Sequence, residues 1–176
     1  SFSRTQGLLD WGGWWFLQEI TADGITAPTR GGDWDDGGKW RSLHQHTWGA
    51  NTEAVEQLWR FIYEGNGIPS ANKAIDLLTP GAESSDEVKK VLAQVQVMRA
   101  YLYYLAIDNF GDVPFPRSYS NQEKNPSRTP RAEVFNTIVQ DILDNVDALP
   151  NPTIGSKTSS INKATAYTLL AKLYLN

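Results

Sequence analysis

Residues 29–41 hold the side chains of this chain that are best suited to binding chemistry. Their sequence is TRGGDWDDGGKWR, from which we select two indole rings and three charged groups: Arg30, Asp33, Trp34, Asp35 and Trp40. Indole rings stack on the C–H-rich faces of sugar rings, while carboxylates and guanidinium groups exchange hydrogen bonds with hydroxyl groups. We therefore interpret these five residues as a candidate sugar-binding site. The alternative interpretation is that both tryptophans pack onto the helices as local core.

Two groupings of potential metal ligands fall short of a complete site. Asp33, Asp35 and Asp36 lie close together, as in calcium-binding loops, but the spacing of an EF-hand is not met. His44 and His46 are the only histidines, and zinc would need a further ligand. We therefore expect no metal site, and we interpret the histidines as solvated or hydrogen-bonded loop residues.

Candidates for catalysis are equally sparse. The chain contains no cysteine, which excludes thiol nucleophiles, disulfides and cysteine-ligated metals. Glu19 and Asp23 could be imagined as a glycosidase pair, which must face each other across roughly 5–9.5 Å. Two acids near the end of a helix are more commonly solvated surface. We expect no catalytic residue and no cofactor, and we interpret the chain as non-enzymatic.

Composition and charge restrict the remaining classes of protein. The 176 residues are 40% hydrophobic, enough for one domain with a core. The formal net charge is −4, and no basic stripe of the kind that binds nucleic acid is present. No apolar run approaches the ~20 residues that span a bilayer.

The elements that must position the candidate site are predicted to be helices, and the clearest spans residues 86–110. Ser84 and Glu87 form a capping-box pattern before it. Apolar residues recur on two of its flanks, which is typical of a helix sandwiched between neighbours. Gly111 ends the helix, and two following prolines keep the backbone extended.

Several side chains around the end of this helix have predicted structural roles. Arg99 is expected to pair with an acid across the helix stack. The tyrosines that follow it are expected to lie in the core: Tyr101, Tyr103 and Tyr104. Asp112 is expected to accept backbone N–H bonds in the turn before Pro114. Thr129 is expected to cap the next helix, with Pro130 in its first turn.

Helical periodicity predicts four further helical stretches, over residues 5–22, 52–78, 131–149 and 163–175. In the first, the expected core contacts are Leu8, Leu9, Trp15 and Phe16. Glycine and proline interrupt the second, which predicts one kinked helix or two short ones. Residues 23–51 are rich in Gly and Trp and are predicted to form a long ordered loop. The predicted fold is all-α, with tetratricopeptide-like stacked helical hairpins and this loop as an insertion, over one domain of residues 1–176.

The order of these landmarks resembles a known family. The specific part is the RAYLYYL sequence of residues 99–105 followed by FGDVP at residues 110–114. Trp59, Tyr63 and Asn72 precede it, and the pattern continues to the end of the chain. The chain is similar to the N-terminal part of SusD-like (RagB) proteins, so we expect it to be a fragment of a longer protein.

The resemblance implies a role in nutrient uptake. Members of the family are outer-membrane lipoproteins of Bacteroidota that bind glycans or other nutrients at the cell surface. They cap a SusC-like TonB-dependent transporter, and a Trp-rich loop contributes to ligand binding in some members. The cysteine that carries the lipid anchor is absent from this sequence. From the resemblance we expect a glycan or oligopeptide ligand and a transporter partner. The alternatives are a glycoside-active enzyme that uses carboxylates of the Trp loop, and a helical-repeat scaffold that binds only proteins.

Overall fold

The computed structural model describes residues 8, 13–64, 66–121, 123–153, 155 and 160–176. Contacts divide the chain into two compact units, Ser1–Phe61 and Ile62–Asn176. None of the helices in these described ranges contains an apolar stretch of transmembrane length.

Helix α1, Trp14–Thr21, is the first described element of the N-terminal unit. Phe16, Leu17 and Ile20 recur at helical spacing and are buried, as is Leu8 ahead of the helix. The expectation for Trp15 is wrong, because its side chain is 42% exposed on the opposite face of the helix. Most of the predicted first turns, including Leu9, lie outside the described residues.

The predicted loop over residues 23–51 is wrong in its middle part. A 3-10 turn, Asp36–Gly38, leads into helix α2, Lys39–His44. Gly38 has a φ of 82°, a left-handed conformation that favours glycine, and it directly precedes the helix. Trp40 and Leu43, three residues apart, are both buried, so the short helix is held by its own apolar face.

The stretch predicted as one kinked helix or two short ones forms two. Helix α3 spans Glu53–Tyr63 and helix α4 spans Ile68–Leu78. Gly67 is the residue preceding α4, and Pro69 lies in its first turn, where a missing N–H has no intrahelical partner to lose.

The C-terminal unit is built from α4 and three further helices. These are α5, Asp86–Phe110; α6, Arg131–Asn145; and α7, Lys163–Leu175. Helices α4 and α5 run antiparallel, because Gly81, just after α4, lies against Val88 near the start of α5, while Asn72 within α4 bonds Arg99 further along α5. Helices α6 and α7 also run antiparallel, because Phe135 near the start of α6 contacts Tyr174 near the end of α7. The all-α prediction is confirmed, while the likeness to tetratricopeptide repeats stays a prediction.

Helix α5 is the centre of this unit. Its cap is one residue later than predicted: Ser85 Oγ accepts from the Val88 N–H at 3.4 Å, whereas Ser84 Oγ donates to the Gly81 carbonyl. Every side chain from Leu102 to Ile107 is buried, which confirms the core positions of the tyrosines within that range. Tyr101 is only partly buried.

A two-residue antiparallel pair lies inside the connection between α5 and α6. Strand β1, Val113–Pro114, pairs with strand β2, Arg128–Thr129. Thr129 therefore does not cap α6, and Pro130 occupies the cap position without a side-chain bond. The capping acceptor is Asp112, whose Oδ1 accepts from the Arg131 N–H at 2.9 Å. Asp112 accepts a backbone N–H as predicted, but from α6 rather than from its own turn.

The backbone after β1 is fastened by side chains of three helices. Tyr63 donates its hydroxyl to the Pro114 carbonyl at 2.9 Å. The Pro116 carbonyl accepts both from Asn72 Nδ2, at 2.8 Å, and from the Tyr103 hydroxyl. Because these tyrosines and Asn72 are wholly or largely buried, their polar groups need partners, and the extended carbonyls supply them.

A buried arginine connects the same segment to α6. Arg99 Nη1 donates to Asn72 Oδ1 at 3.0 Å and to the Arg117 carbonyl at 2.9 Å, and its Nη2 lies 3.6 Å from Asp141 Oδ2. Arg117 forms a bidentate ion pair with the same Asp141 carboxylate, with hydrogen bonds of 2.6 and 2.8 Å. The predicted acidic partner of Arg99 is confirmed as Asp141. Burial, and after it the neighbouring Arg117, lower the pKa of Arg99, and Asp141 opposes this shift.

The end of the segment is held by Asp76 of α4. Its Oδ2 accepts from the backbone N–H groups of Tyr119 and Ser120 and from the hydroxyls of Ser118 and Ser120. These bonds, with the backbone bond from Ser120 foremost, lower the pKa of the Asp76 carboxyl. Residues 113–120 thus form one continuous fastened segment.

Helix α7 is buried on one side only. Its buried residues are Ala166, Leu169, Leu170 and Leu173. Tyr167 and Tyr174 share the apolar periodicity of the helix, but their side chains are exposed. Leu143 of α6 is likewise exposed although it belongs to the apolar stripe of its helix.

Candidate functional site

The N-terminal unit contains a surface cleft of about 270 Å³ that we call the Trp34 cleft. It is lined by one residue of α1 and six of the following segment: Phe16, Thr26, Ala27, Pro28, Arg30, Asp33 and Trp34. The cleft combines an aromatic wall with one cation and one carboxylate. Its volume lies just below the ~300–1,000 Å³ of pockets that enclose drug-sized ligands, so it suits a single ring.

A tight turn brings the two charged residues of the cleft together. The Arg30 N–H donates to the Asp33 carbonyl at 3.0 Å, and the Asp33 N–H donates back to the Arg30 carbonyl at 3.1 Å. Gly31 makes the turn possible because its φ is 64°. The reciprocal bonds fix the backbones of Arg30 and Asp33 side by side at the cleft.

Three aromatic rings pack together beside the turn, two of which, Phe16 and Trp34, line the cleft. Phe16 meets Trp40 edge to face with ring centroids 5.1 Å apart, and Trp34 lies 5.9 Å from Trp40 and 6.4 Å from Phe16. These separations fall within the 4.5–7 Å typical of interacting aromatic pairs. We call Phe16, Trp34 and Trp40 the aromatic cluster.

The two tryptophans of the original hypothesis have different positions in this cluster. Trp34 is 38% exposed and lines the cleft, so part of its ring is open to a ligand. Trp40 is 1% exposed, the Lys39 ammonium lies 4.4 Å from its ring centroid, and its Nε1 donates to Asp36 Oδ2 at 2.6 Å. A buried ring has no face to offer to a sugar, so the prediction of a ligand-stacking role for Trp40 is corrected to local core.

Asp35 also lies apart from the cleft lining. Its carboxylate forms an ion pair with Arg41 at 3.1 Å, and both side chains are largely exposed. The structure therefore brings Arg30, Asp33 and Trp34 together and leaves Asp35 outside. The contribution of Phe16 was missed, although its helical spacing predicted that it would be buried on the inner side of α1.

The backbone around the aromatic cluster adopts unusual conformations. Trp34 and Asp36 have φ values of 59° and 40°, a left-handed region that costs a residue with a side chain about 1–3 kcal/mol. Local bonds hold this geometry, among them the Gly38 N–H to the Asp35 carbonyl at 2.6 Å. Strain of this kind is concentrated at binding sites, where it fixes a side chain in one direction.

The other groups considered for chemistry lie elsewhere. His44 Nδ1 lies 3.2 Å from Asp23 Oδ1, an exposed contact. The Glu19 carboxylate lies against Gly24, where an added Cβ would clash with Oε2. Neither acid lines the Trp34 cleft. Within the part of the chain that the structure describes, no three His, Cys, Asp or Glu residues are grouped to hold a metal ion.

Comparison with known proteins decides the family. Residues 28–175 match the family model SusD-like_3, described as "Starch-binding associating with outer membrane". The chain belongs to the SusD-like family. The matched region contains the turn closed by Arg30 and Asp33 and both tryptophans of the aromatic cluster, while α1 lies before it.

Two curated relatives agree with this assignment. "SusD-like protein P2" of Formosa agariphila is 31% identical over 147 residues, which are 82% of this chain and 28% of the relative. "Starch-binding protein SusD" of Bacteroides thetaiotaomicron is 25% identical over 143 residues, which are 81% of this chain and 25% of the relative. The chain thus spans about a quarter of the length of these SusD-like proteins.

Solved structures show the same fold. A SusD superfamily protein from Bacteroides vulgatus superposes with a TM-score of 0.74 at 16% identity, covering 99% of this chain and 37% of the other. A laminarin-binding SusD-like protein gives a TM-score of 0.68 at 20% identity, covering 90% and 34%. The helical SusD-like fold therefore extends over nearly all of this chain.

Proposed function

We propose that this chain is part of a cell-surface glycan-binding protein, and that the Trp34 cleft receives a sugar ring. The observation that carries the proposal is the cleft itself, in which the half-exposed ring of Trp34 lies beside Arg30 and Asp33. Membership of the SusD-like family supports it, because that family is described as starch-binding.

Each of the three side chains has a distinct task in this proposal. The Trp34 ring stacks on the C–H face of a pyranose. Arg30 donates hydrogen bonds to sugar hydroxyls, and Asp33 accepts from neighbouring hydroxyls, with the strength of bonds to charged groups. Because the turn fixes the backbones of Arg30 and Asp33, little backbone ordering remains to be done there when the ligand binds.

We propose a binding role without catalysis. Glycoside hydrolysis needs two carboxyl groups that flank one sugar bond. The cleft lining holds a single carboxylate, that of Asp33, while Glu19 and Asp23 belong to other contacts. A glycosidase would release reducing ends from a polysaccharide, and we expect none.

Starch and laminarin are the first ligands to test, because relatives of this chain carry these names. The experiment is affinity electrophoresis and calorimetry with soluble starch and laminarin, with an oligopeptide mixture as the competing ligand class. We expect Trp34→Ala to weaken binding at least about tenfold, or about 1.4 kcal/mol. Arg30→Ala should weaken it less, since one hydrogen bond to a charged group is lost.

Trp48→Ala is the matched control. Trp48 is a similarly exposed tryptophan of the same unit that does not line the cleft. If Trp34→Ala and Trp48→Ala bind glycans as well as the unchanged protein, the cleft is not the site. Binding of oligopeptides alone would replace the glycan proposal by the peptide alternative, and binding of proteins alone would favour a scaffold.

The proposed partner is a SusC-like TonB-dependent transporter in the outer membrane, with a lipid anchor holding the protein at the cell surface. The support is the family description, which places its members in association with the outer membrane. Affinity purification from detergent-solubilised outer membranes should recover a transporter barrel together with the protein. Recovery of the protein from the outer membrane without any barrel would contradict this part of the proposal.

A further inference from the structure

The carboxylate of Asp36 makes a bond that no sugar-binding hypothesis requires. Its Oδ2 accepts from Nε1 of Trp40 at 2.6 Å, and Trp40 is the most deeply buried residue of the aromatic cluster. A buried indole N–H needs an acceptor, and an ionised carboxylate is a strong one. The bond therefore fixes the rotation of the Trp40 ring relative to the 3-10 turn that contains Asp36.

The ring that is fixed in this way supports the exposed ring of the cleft. Trp40 contacts Trp34 with a centroid distance of 5.9 Å and an interplanar angle of 55°. Trp34 lies only two residues before Asp36 in the sequence. Trp34, Asp36 and Trp40 are thus connected in three ways. The chain joins Trp34 to Asp36, a hydrogen bond joins Asp36 to Trp40, and a ring contact joins Trp40 to Trp34.

Two of these three connected residues, Trp34 and Asp36, have a strained backbone. Within residues 30–38, Trp34 and Asp36 are the non-glycine residues with positive φ. A strained backbone conformation persists only when several surrounding contacts together hold it in place. The hydrogen bond from Trp40 is one of the contacts that hold Asp36. Loss of this bond should let the backbone of residues 34–38 adopt other conformations, and the Trp34 ring should then change its orientation.

We propose that Asp36 is a positioning residue that sets, through Trp40, the direction in which Trp34 faces the cleft. The inference rests on the proposed function, since it concerns the ring assigned to stack on the sugar. Asp36 itself does not line the cleft.

A simpler role for Asp36 makes a different prediction. An acid near the start of a helix stabilises it by its charge, and Asp36 begins the 3-10 turn that leads into α2. Asp36→Asn removes the charge but keeps an oxygen that can accept from Trp40. If hydrogen bonding matters, Asp36→Asn should behave like the unchanged protein, and if charge matters it should behave like Asp36→Ala.

The test compares variants that remove the bond from either side. Asp36→Ala removes the acceptor, and Trp40→Phe removes the donor while keeping an aromatic ring in the core. The double variant tests whether the two act through one interaction, in which case it should be no worse than either single variant. Glu56→Ala is the charge-matched control, because it removes an exposed acid of the same unit, which forms an ion pair with Arg60.

The first measurement needs no ligand. In protein labelled with 5-fluorotryptophan, the fluorine resonance of Trp34 is assigned with Trp34→Phe. We expect one sharp Trp34 resonance in the unchanged protein, Asp36→Asn and Glu56→Ala. Asp36→Ala and Trp40→Phe should broaden or split it. A single sharp resonance in both of these variants would overturn the proposal.

The second measurement is the affinity for soluble starch and laminarin. We expect Asp36→Ala and Trp40→Phe to weaken binding about tenfold, with Asp36→Asn and Glu56→Ala near the unchanged protein. Loss of binding in Trp34→Ala but not in Asp36→Ala would overturn positioning and leave the proposed function intact. Unchanged binding in Trp34→Ala would remove the proposed function, while the fluorine spectra would still decide on positioning. If Asp36→Ala does not fold, Trp40→Phe carries the comparison.

Discussion

Arg99 and Asp141 form an ion pair between α5 and α6 in which Arg99 Nη2 lies 3.6 Å from Asp141 Oδ2. Arg99 is 3% exposed and Asp141 is 17% exposed, and Arg117 approaches the same carboxylate from the surface. Two cations thus depend on one anion. The pair is energetically sensitive because a buried charge that loses its partner keeps its full desolvation cost.

Asp141→Ala is expected to destabilise the protein strongly. It leaves the Arg99 guanidinium buried without a counter-charge and frees Arg117. Removing one partner of a buried pair costs about 3–5 kcal/mol, and partial exposure of Asp141 places the expectation near the lower end. Urea unfolding followed by circular dichroism measures the change.

Asp144→Ala is the control for this prediction. Asp144 lies on the same helix and accepts an exposed hydrogen bond from Gln140. Its loss should change the free energy of unfolding by less than about 0.5 kcal/mol. Equal effects of the two substitutions would mean that the buried position of the Arg99 pair has no energetic consequence.

Stability should fall at alkaline pH because of two tyrosines. Burial raises the pKa of Tyr63, with a further contribution from Tyr103, and burial likewise raises the pKa of Tyr103 against the opposing effect of Arg99. In the unfolded chain both ionise near pH 10, while in the folded protein both stay protonated beyond that pH. Their contribution is complete below about pH 10 and is lost as pH rises further, by up to about 1.4 kcal/mol per pH unit for each.

Urea unfolding between about pH 9 and about pH 11 tests this sign. The double variant Tyr63→Phe, Tyr103→Phe should lose stability less steeply over this range, although it starts lower because two hydrogen bonds to proline carbonyls are missing. Some slope should remain, because burial also raises the pKa of Tyr101 and Tyr104. Identical slopes in the two proteins would contradict the prediction.

Gly111→Ala is expected to cost about 1–3 kcal/mol through the backbone alone. Gly111 ends α5 with φ 72° and ψ −117°, and a Cβ added there would meet no atom within 4 Å. Gly49→Ala is the matched control, since Gly49 has equal space and no positive φ. Thermal unfolding should separate the two variants, and a neutral Gly111→Ala would show that this conformation is not strained for alanine.

The candidate site shows how far the sequence could predict and where it stopped. Composition alone identified a segment rich in indole rings and charges, and the structure brings Arg30, Asp33 and Trp34 of that segment to one cleft. It could not distinguish Trp34 from Trp40, because both follow glycines and carboxylates at similar spacing. The distinction depends on α2, a helix too short for its periodicity to be recognised, which turns Trp40 inward.

The fold was predictable where periodicity is long and end signals are strong. Helix α5 ends at Gly111 as predicted, and α7 has its predicted bounds. Partners distant in sequence were not identifiable: an acid was expected for Arg99, but nothing local selects Asp141. Asp112 likewise has the expected type of bond, with a donor that only the antiparallel return of α6 brings within reach.

The fastening of residues 113–120 has a practical consequence for protein engineering. That stretch cannot accept an epitope tag or a new chain terminus without detaching its backbone from side chains on three helices and breaking the Arg117–Asp141 ion pair with a fourth. Residues 123–127, a few positions further on, are mostly exposed and precede β2. A reporter inserted there should leave the helical unit intact and provide a handle for following the protein on living cells.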